Sequence, residues 1–218
     1  MIEIKNLYLK YIREYYALYN ISLNIKEGEC VCLVGQQASG KTTLLRVLAK
    51  LEKFEKGEVY IKDHALKKID FKDDIHLGYV SYRPVFLEKK TVYENFKFVL
   101  DARKLPKDEI EQRINDAFIN FNLEKYRNTK IKDLSVFEKY VISLVRLSLR
   151  QLDVALIDNI FTNLSEEEQE KIEYLIKNIL LDKQVTTLIA TESEDIAHKF
   201  SNRIVHFENG SIKGEENA

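Results

Sequence analysis

The sequence contains no tryptophan, two prolines and seven glycines, and its apolar runs are short. None approaches the roughly 18 to 20 residues that a membrane-spanning helix needs. The first five residues lack the charged-then-apolar layout of a secretion signal. Acidic and basic residues are nearly balanced, with a net charge of −1, and they are interspersed along the chain. The sequence therefore does not indicate a broad basic surface of the kind that binds nucleic acid. We therefore expect a cytoplasmic protein that does not bind nucleic acid.

Cysteine is almost absent, and the two that occur, Cys30 and Cys32, lie two apart in an apolar run. On a strand both side chains face the same way, which favours packing as small buried groups. A metal site would require more ligands. At 218 residues with 45% hydrophobic content, the chain is long enough for one large domain, or for one domain that carries an inserted subdomain.

The order of apolar patterns along the chain predicts strands and helices that alternate on both sides of a helical segment. Strands are predicted at residues 2–9, 21–25, 30–34, 57–61, 153–157, 185–190, 203–207 and 211–213. Helices are predicted at residues 43–51, 91–103, 107–121, 135–149, 165–181 and 193–200, and residues 214–218 are expected to fray. Helices between successive buried strands predict an α/β fold with a largely parallel sheet. We expect a core of residues 1–83 and 151–218 and a helical subdomain of residues 84–150.

A glycine-rich loop lies between the predicted strand 30–34 and the helix that follows. Its residues are Gly35, Gln36, Gln37, Ala38, Ser39, Gly40, Lys41 and Thr42. In a Gly-x-x-x-x-Gly-Lys-Thr loop the backbone N–H groups face phosphates, and the helix N-terminus adds positive potential. We expect Lys41 to reach the terminal phosphates, Thr42 to bind magnesium through its hydroxyl, and Thr43 to contact an inner phosphate. The loop predicts binding of ATP with Mg²⁺, on a P-loop NTPase core.

A second ligand for the metal is needed on its far side. Asp158 ends the apolar run 154–157, where a carboxylate from a buried strand can reach a metal beside the phosphate loop. An aspartate at the end of a strand can also cap a helix. Beside an intact phosphate loop, we favour the magnesium role for Asp158.

With these motifs in order, the sequence resembles the ATPase subunit of ABC transporters over essentially its whole length. The matching segments are residues 26–29, the phosphate loop, 57–59, 78–80, 83–84, 91–95, 134–135 and Asp158. The resemblance implies an N-terminal antiparallel β subdomain and a dimer with a second, identical or homologous, ATPase subunit. In that dimer two ATP molecules lie between one chain's phosphate loop and the other chain's signature segment. The resemblance also implies that closure of the dimer drives a membrane permease, which docks on the helical subdomain.

Several family positions hold unexpected residues. Tyr82 stands where the family has glutamine, Asn159 where it has the general-base glutamate, Glu192 where it has histidine, and Ser165 where it has an interface aspartate. The signature reads Leu-Ser-Val-Phe-Glu over residues 134–138, so only the Ser135 hydroxyl remains for the partner's ATP. An amide such as that of Asn159 positions water but does not accept its proton. Hydrolysis is expected to be weak or absent.

The resemblance also implies an aromatic residue that stacks on adenine. Tyr11 has the best spacing, and Tyr15, Tyr16 and Tyr19 are the other candidates. Tyrosine stacking tolerates either purine, so the spacing leaves ATP and GTP open.

Three functions fit these features. The leading interpretation is an ATP-binding transporter subunit with weak or absent hydrolysis that works with an active partner. A slow but genuine transport ATPase with Glu192 as base, and a nucleotide-responsive scaffold without a permease, are the alternatives. The transported substrate and its direction are not encoded in these motifs.

Overall fold

The computed structural model describes residues 1–12, 15–71, 74–102 and 105–217. Within these residues the chain forms two sheets and six α-helices. The expected α/β class is confirmed. No helix among the described residues is long and apolar enough to cross a membrane.

The first sheet is antiparallel and comes from the N-terminal part of the chain. Its strand order is β2, β1, β4, β5, with β1 at Ile2–Ile12, β2 at Tyr15–Ile25, β4 at Lys56–Ile61 and β5 at His64–Ala65. Both β1 and β2 exceed their predicted lengths, because their outer halves carry exposed tyrosines rather than a clean apolar alternation. The register of the pair shifts between Ile4 and Leu7. Near this shift Asn6 and Asn20 adopt positive φ angles of 46° and 54°.

The second sheet has six strands in the order β10, β9, β3, β8, β7, β6. Their bounds are β3 Cys30–Val34, β6 Leu77–Val80, β7 Val154–Asp158, β8 Thr186–Thr191, β9 Arg203–Glu208 and β10 Ser211–Asn217. Every pairing from β9 to β6 is parallel, and only β10 is antiparallel to its neighbour. The central strands are almost fully buried, as strands covered on both faces should be.

The predicted fraying of the C-terminal residues is wrong as far as Asn217. Strand β10 continues through Gly214 and pairs with β9 as far as Asn217 opposite Arg203. A register shift between Ile212 and Gly214 absorbs the glycine without ending the pairing. Arg203 also forms an ion pair with Glu215 at 3.2 Å, which holds this exposed strand.

Helix α1, Lys41–Leu48, follows β3 and begins two residues earlier than predicted. Helices α2 Val92–Asp101, α3 Lys107–Asn120 and α4 Val136–Ser148 fill the middle of the chain. Helix α5, Glu166–Ile176, continues as a π-helical turn over Lys177–Leu181, and α6 spans Glu194–Phe200. Capping boxes begin α2, α4 and α5 at Thr91, Ser135 and Ser165. The Ser165 box confirms that the predicted helix start is kept.

The buried side chains form two clusters on opposite faces of the parallel sheet. One joins α1 and the antiparallel sheet to residues such as Val31, Leu33 and Leu156. The other joins α2 to α6 to residues such as Cys32 and Ile157. Cys32 is buried as predicted, whereas Cys30, at the start of β3, is only partly buried. The sheet therefore holds the end of β3, where the glycine-rich loop begins, rigidly between two apolar layers.

Candidate nucleotide site

The glycine-rich loop turns directly from β3 into α1, and Gly40 is the residue that makes the turn possible. Its φ of 109° lies in the left-handed region, and an added Cβ would lie 2.8 Å from the Ala17 carbonyl oxygen. Ala38 adopts a positive φ of 62°, and the Ser39 N–H donates to the Gln36 carbonyl at 3.2 Å. The antiparallel sheet thus presses against the loop, and the loop curls around a concave space.

Lys41 is the first residue of α1 and is buried within the loop. Its Nζ donates to the carbonyl oxygens of Gly35 at 2.6 Å and Gln36 at 2.9 Å, and to Ser39 Oγ at 3.1 Å. Burial lowers the pKa of Lys41, against the opposing effects of the nearby Glu192 and Asp158 carboxylates. The ammonium group is therefore held in the loop, where a phosphate can take over its hydrogen bonds.

Asp158 ends β7 and faces Thr42, the next residue of α1. Thr42 Oγ1 donates to Asp158 Oδ1 at 2.8 Å, and the Tyr79 hydroxyl donates to Asp158 Oδ2 at 2.8 Å. Burial and the Asp158 charge together raise the pKa of Tyr79 well above its usual value, so the phenol stays protonated. Asp158 is only 2% exposed. A hydroxyl and a carboxylate in contact are hard oxygen ligands of the kind Mg²⁺ prefers, so these residues fit the predicted metal.

A cavity of about 540 Å³ opens in front of this pair. Lys41, Thr42 and Asp158 form its base. The other predicted site residues that line it are Tyr11, Gln37, Ala38, Ser39, Gly40, Thr43, Tyr82, Asn159 and Glu192. Its volume falls in the range of small-ligand sites. Of the predicted residues, Gly35 and Gln36 contribute backbone carbonyls beneath Lys41, and Ser135 does not line the cavity.

Two of the four candidate tyrosines line the cavity, and two do not. Tyr11 and Tyr15 stand at its edge. Tyr16 and Tyr19 instead form an edge-to-face cluster with Tyr8, with ring centroids 5.1 to 5.9 Å apart. The sequence spacing singled out Tyr11 and ranked Tyr15 with the others, because the β1–β2 hairpin that brings Tyr15 beside it was not predicted.

The residues after β7 and β8 meet at the mouth of the cavity. The Asn159 N–H donates to the Ala190 carbonyl at 2.9 Å, and its Nδ2 points to Glu192 Oε1 at 3.5 Å. Thr162 Oγ1 donates to Asn159 Oδ1 at 3.1 Å. Two of the positions at which the sequence departs from the family, Asn159 and Glu192, thus lie next to each other.

Tyr82 is exposed, and its backbone is fastened to α4. The Tyr140 hydroxyl donates to the Tyr82 carbonyl at 2.8 Å, and Arg146 Nη1 donates to the Val85 carbonyl at 2.9 Å. The Arg146 guanidinium also lies 4.3 Å from the centre of the Phe86 ring. The segment that borders the cavity is therefore tied to the helix whose N-terminus is the signature position.

At the signature position, the N-terminus of α4, the side chains of Ser135 and Glu138 pair with each other's backbone N–H groups. Ser135 Oγ accepts from the Glu138 N–H at 3.2 Å, and the Glu138 carboxylate accepts from the Ser135 N–H at 2.8 Å. Partial burial acts to raise the pKa of Glu138, but bonds from the Ser135 N–H and the Tyr126 hydroxyl outweigh it and the pKa falls. Val136 projects into solvent with 63% of its surface exposed. The sequence identified Ser135 but not this capping box, although its Ser-x-x-Glu spacing is a sufficient signal.

Tyr79 is the site residue that sequence reasoning missed. It belongs to the matched segment 78–80, but a strand pattern does not reveal which side chain reaches across to the neighbouring strand's end. Its contact with Asp158 depends on the parallel pairing of β6 with β7, in which Tyr79 lies opposite Leu156.

Comparison with known proteins agrees with this geometry. The family model described as "ABC transporter" matches residues 18–162, more than half of the chain. The spermidine/putrescine import ATP-binding protein PotA of Legionella pneumophila, strain Philadelphia 1, is 29% identical over 98% of this chain. The oligosaccharides import ATP-binding protein MsmX of Bacillus subtilis, strain 168, is 30% identical over 97% of it. The chain spans 58% of the length of each of these relatives.

A solved structure extends the likeness to three dimensions. The ATP-binding cassette MJ0796, described as a dimer in a post-hydrolysis state bound to ADP and Pi, superposes with a TM-score of 0.88. The two chains are 28% identical, and the match covers 100% of this chain and 98% of that one. Family, relatives and fold agree with the phosphate loop and the Thr42–Asp158 pair. The chain belongs to the ABC transporter family, as one of its ATP-binding domains.

Proposed function

We propose that this chain is the ATP-binding subunit of an ABC-type transporter and that it holds Mg-ATP in the cavity in front of the phosphate loop. The observation that carries the proposal is the contact between Thr42 and Asp158 at the base of that cavity, beside Lys41. Mg²⁺ would be held by the Thr42 hydroxyl and the Asp158 carboxylate. Lys41 would leave the loop carbonyls for the terminal phosphates, and Tyr11 would stack on the base.

Weak hydrolysis follows from the residues at the mouth of the cavity. Asn159 cannot accept a proton from water at neutral pH, and the loss of a positioned base costs about a hundredfold to ten-thousandfold in rate. Tyr82 offers no amide to a metal or to an attacking water. These substitutions support a subunit that binds nucleotide tightly and turns it over slowly.

A second ATPase subunit, either another copy or a homologue with intact motifs, would complete the site. In this chain the N-terminus of α4 is closed by Ser135 and Glu138, and the carboxylate would repel a γ-phosphate. The partner's signature segment would therefore stabilise the ATP bound to this chain. The altered signature of this chain would contribute little to the ATP bound to the partner. This asymmetry favours a partner that is not identical.

The proposed membrane partner is a permease that docks beside the helical subdomain of residues 84–150. Apolar side chains are exposed at its start, at Leu87 and at Val85 with 77% of its surface accessible, and at the neighbouring Tyr82 of the core. The named import functions of PotA and MsmX favour import over export. The core of residues 1–83 and 151–218 would carry the nucleotide site.

Thermal unfolding with and without Mg-ATP tests the proposal. ATP at a hundredfold excess over its dissociation constant adds about 2.7 kcal/mol to the free energy of unfolding. We expect this stabilisation in the wild type and in a Lys213→Ala control, whose lysine lies on β10, and not in Lys41→Ala. An equal response of Lys41→Ala and wild type would contradict binding through the loop.

A further inference from the structure

Glu192 lies at the mouth of the cavity beside Asn159, the residue at the family's base position. It follows β8 directly, and Asn159 follows β7, the neighbouring parallel strand. Because Thr162 Oγ1 donates to Asn159 Oδ1, the amide presents its NH₂ group towards Glu192. The amide NH₂ group therefore faces a carboxylate that it can orient.

The carboxylate stands between the nucleotide cavity and solvent. Behind it an open groove of about 840 Å³ runs between α5 and α6. Asn159, Thr162 and Glu192 line both the groove and the cavity. Glu192 therefore stands where the groove meets the cavity.

Glu192 is also the acidic group of the cavity that remains available for a proton. Both oxygens of Asp158 are occupied, by Thr42 and Tyr79. Among the described residues, Asn159 is the only hydrogen-bond donor to Glu192, at a long 3.5 Å, and no cation lies within ion-pairing distance of it. Its side chain is exposed, so the carboxylate retains lone pairs for water.

We infer that Glu192 is the general base for the residual ATP hydrolysis of this subunit, and that Asn159 is the positioning residue that orients it. This inference rests on the proposed function. Water adds its oxygen to the γ-phosphorus as the bond to the β,γ-bridging oxygen breaks, so the bond electrons leave with ADP. The water proton passes to a Glu192 oxygen and then to the released phosphate or to solvent. The carboxylate that acts as base would thus follow β8 in this chain, whereas the family pattern has it after β7.

Phosphate release at saturating Mg-ATP tests this assignment in the full chain. We expect slow release from the wild type above the level of Lys41→Ala, and a loss of at least tenfold in Glu192→Gln. Glu170→Gln is the matched control, because Glu170 lines the groove but not the nucleotide cavity. It makes the same chemical change and is expected to leave release within twofold of the wild type.

Nucleotide binding on the same samples separates a failed inference from a failed proposed function. We expect Glu192→Gln to bind Mg-ATP as tightly as the wild type or more tightly, because a negative charge near the phosphates is removed. If the wild type bound no Mg-ATP, the proposed function would fail. If it bound ATP but Glu192→Gln released phosphate at the wild-type rate, or if the wild type released none above Lys41→Ala, the assignment of Glu192 alone would be overturned.

The role of Asn159 has its own readout. Asn159→Ala is expected to lower kcat severalfold and leave KM unchanged, because the residue acts on the carboxylate and not on the bound nucleotide. A rise in KM with unchanged kcat would place Asn159 in nucleotide binding and remove it from the proposed pair.

Discussion

The Tyr79 hydroxyl donates to one oxygen of Asp158 at 2.8 Å while Thr42 occupies the other, so a buried carboxylate in the nucleotide site is fully paired. Removal of the Tyr79 hydroxyl leaves a buried carboxylate oxygen without its donor, which typically costs about 1–3 kcal/mol. We therefore expect Tyr79→Phe to lower the free energy of unfolding by about that amount in urea denaturation without nucleotide.

Tyr93→Phe is the matched control for this change. Tyr93 also donates to a carboxylate, that of Glu111, but this pair lies at the surface of the helical region, away from the cavity. We expect a smaller loss, because water replaces the lost bond. Equal losses in the two variants would show that the buried hydrogen bond to Asp158 contributes no more to stability than the surface hydrogen bond to Glu111.

The close approach of the antiparallel sheet to the phosphate loop makes Gly40 irreplaceable. A methyl group there would lie 2.8 Å from the Ala17 carbonyl oxygen and would force an alanine into the left-handed φ region. We expect Gly40→Ala to lower both the unfolding temperature and the affinity for Mg-ATP. Gly214→Ala is the control, because nothing lies within 4 Å of an added Cβ there. A Gly40→Ala protein with wild-type affinity would contradict the described loop conformation.

Tyrosines at the hairpin of β1 and β2 divide into two groups with different expected effects. Tyr11 and Tyr15 line the cavity, and base stacking is worth about 1–3 kcal/mol per aromatic ring. Tyr19 packs on Tyr8 and Tyr16 instead, although it is as exposed as Tyr15, at 49% against 48%. We expect Tyr11→Ala to weaken ATP binding and Tyr19→Ala to leave it unchanged in equilibrium titrations. If Tyr19→Ala weakened ATP binding and Tyr11→Ala did not, the nucleotide base would have to lie against Tyr19 and not in the cavity beside Tyr11.

Acid stability is expected to depend on Asp153, which joins the start of β7 to Lys62 and to the His76 N–H. Burial acts to raise the pKa of Asp153, but these two donors outweigh it and hold the pKa below its usual value. A depressed folded-state pKa gives stability that is complete above the unfolded value and is lost as pH falls through the folded value. The wild type is therefore expected to lose this contribution below about pH 4.

Asp153→Asn tests that sign. The variant is expected to be less stable than the wild type at neutral pH, and the difference is expected to shrink as the pH falls below about 4 in denaturation series. Asp133→Asn makes the same change at an exposed position. It is expected to alter neither the stability at neutral pH nor the dependence of stability on pH. A difference between wild type and Asp153→Asn that grew towards low pH would contradict the assignment.

Local patterns were sufficient for much of the fold. The loop around Gly40 and Lys41 is a contiguous motif, and Asp158 is marked by the apolar strand before it, so both were predicted at their observed places. Interactions across strands were not predicted. Tyr79 reaches Asp158 only because β6 lies beside β7, and Gly214 continues a strand because β9 supplies the pairing.

The meeting of Asn159 with Glu192 shows the same limit at the mouth of the site. Each residue was identified as a departure from the family, but separately, since the two are 33 positions apart in the sequence. Their contact arises from the parallel register of β7 and β8, which sets Asp158 opposite Ala190. The proposed relationship between the two residues therefore depends on the strand pairing and could not be read from either motif alone.

The most direct test of the central claim is an equilibrium titration of the purified chain with ATP, with and without Mg²⁺, beside Lys41→Ala. We expect saturable binding of one ATP per chain in the wild type, tighter with Mg²⁺, and a large loss of affinity in Lys41→Ala. Absence of saturable binding in the wild type, or equal binding by Lys41→Ala, would contradict the claim that the phosphate loop is a working nucleotide site.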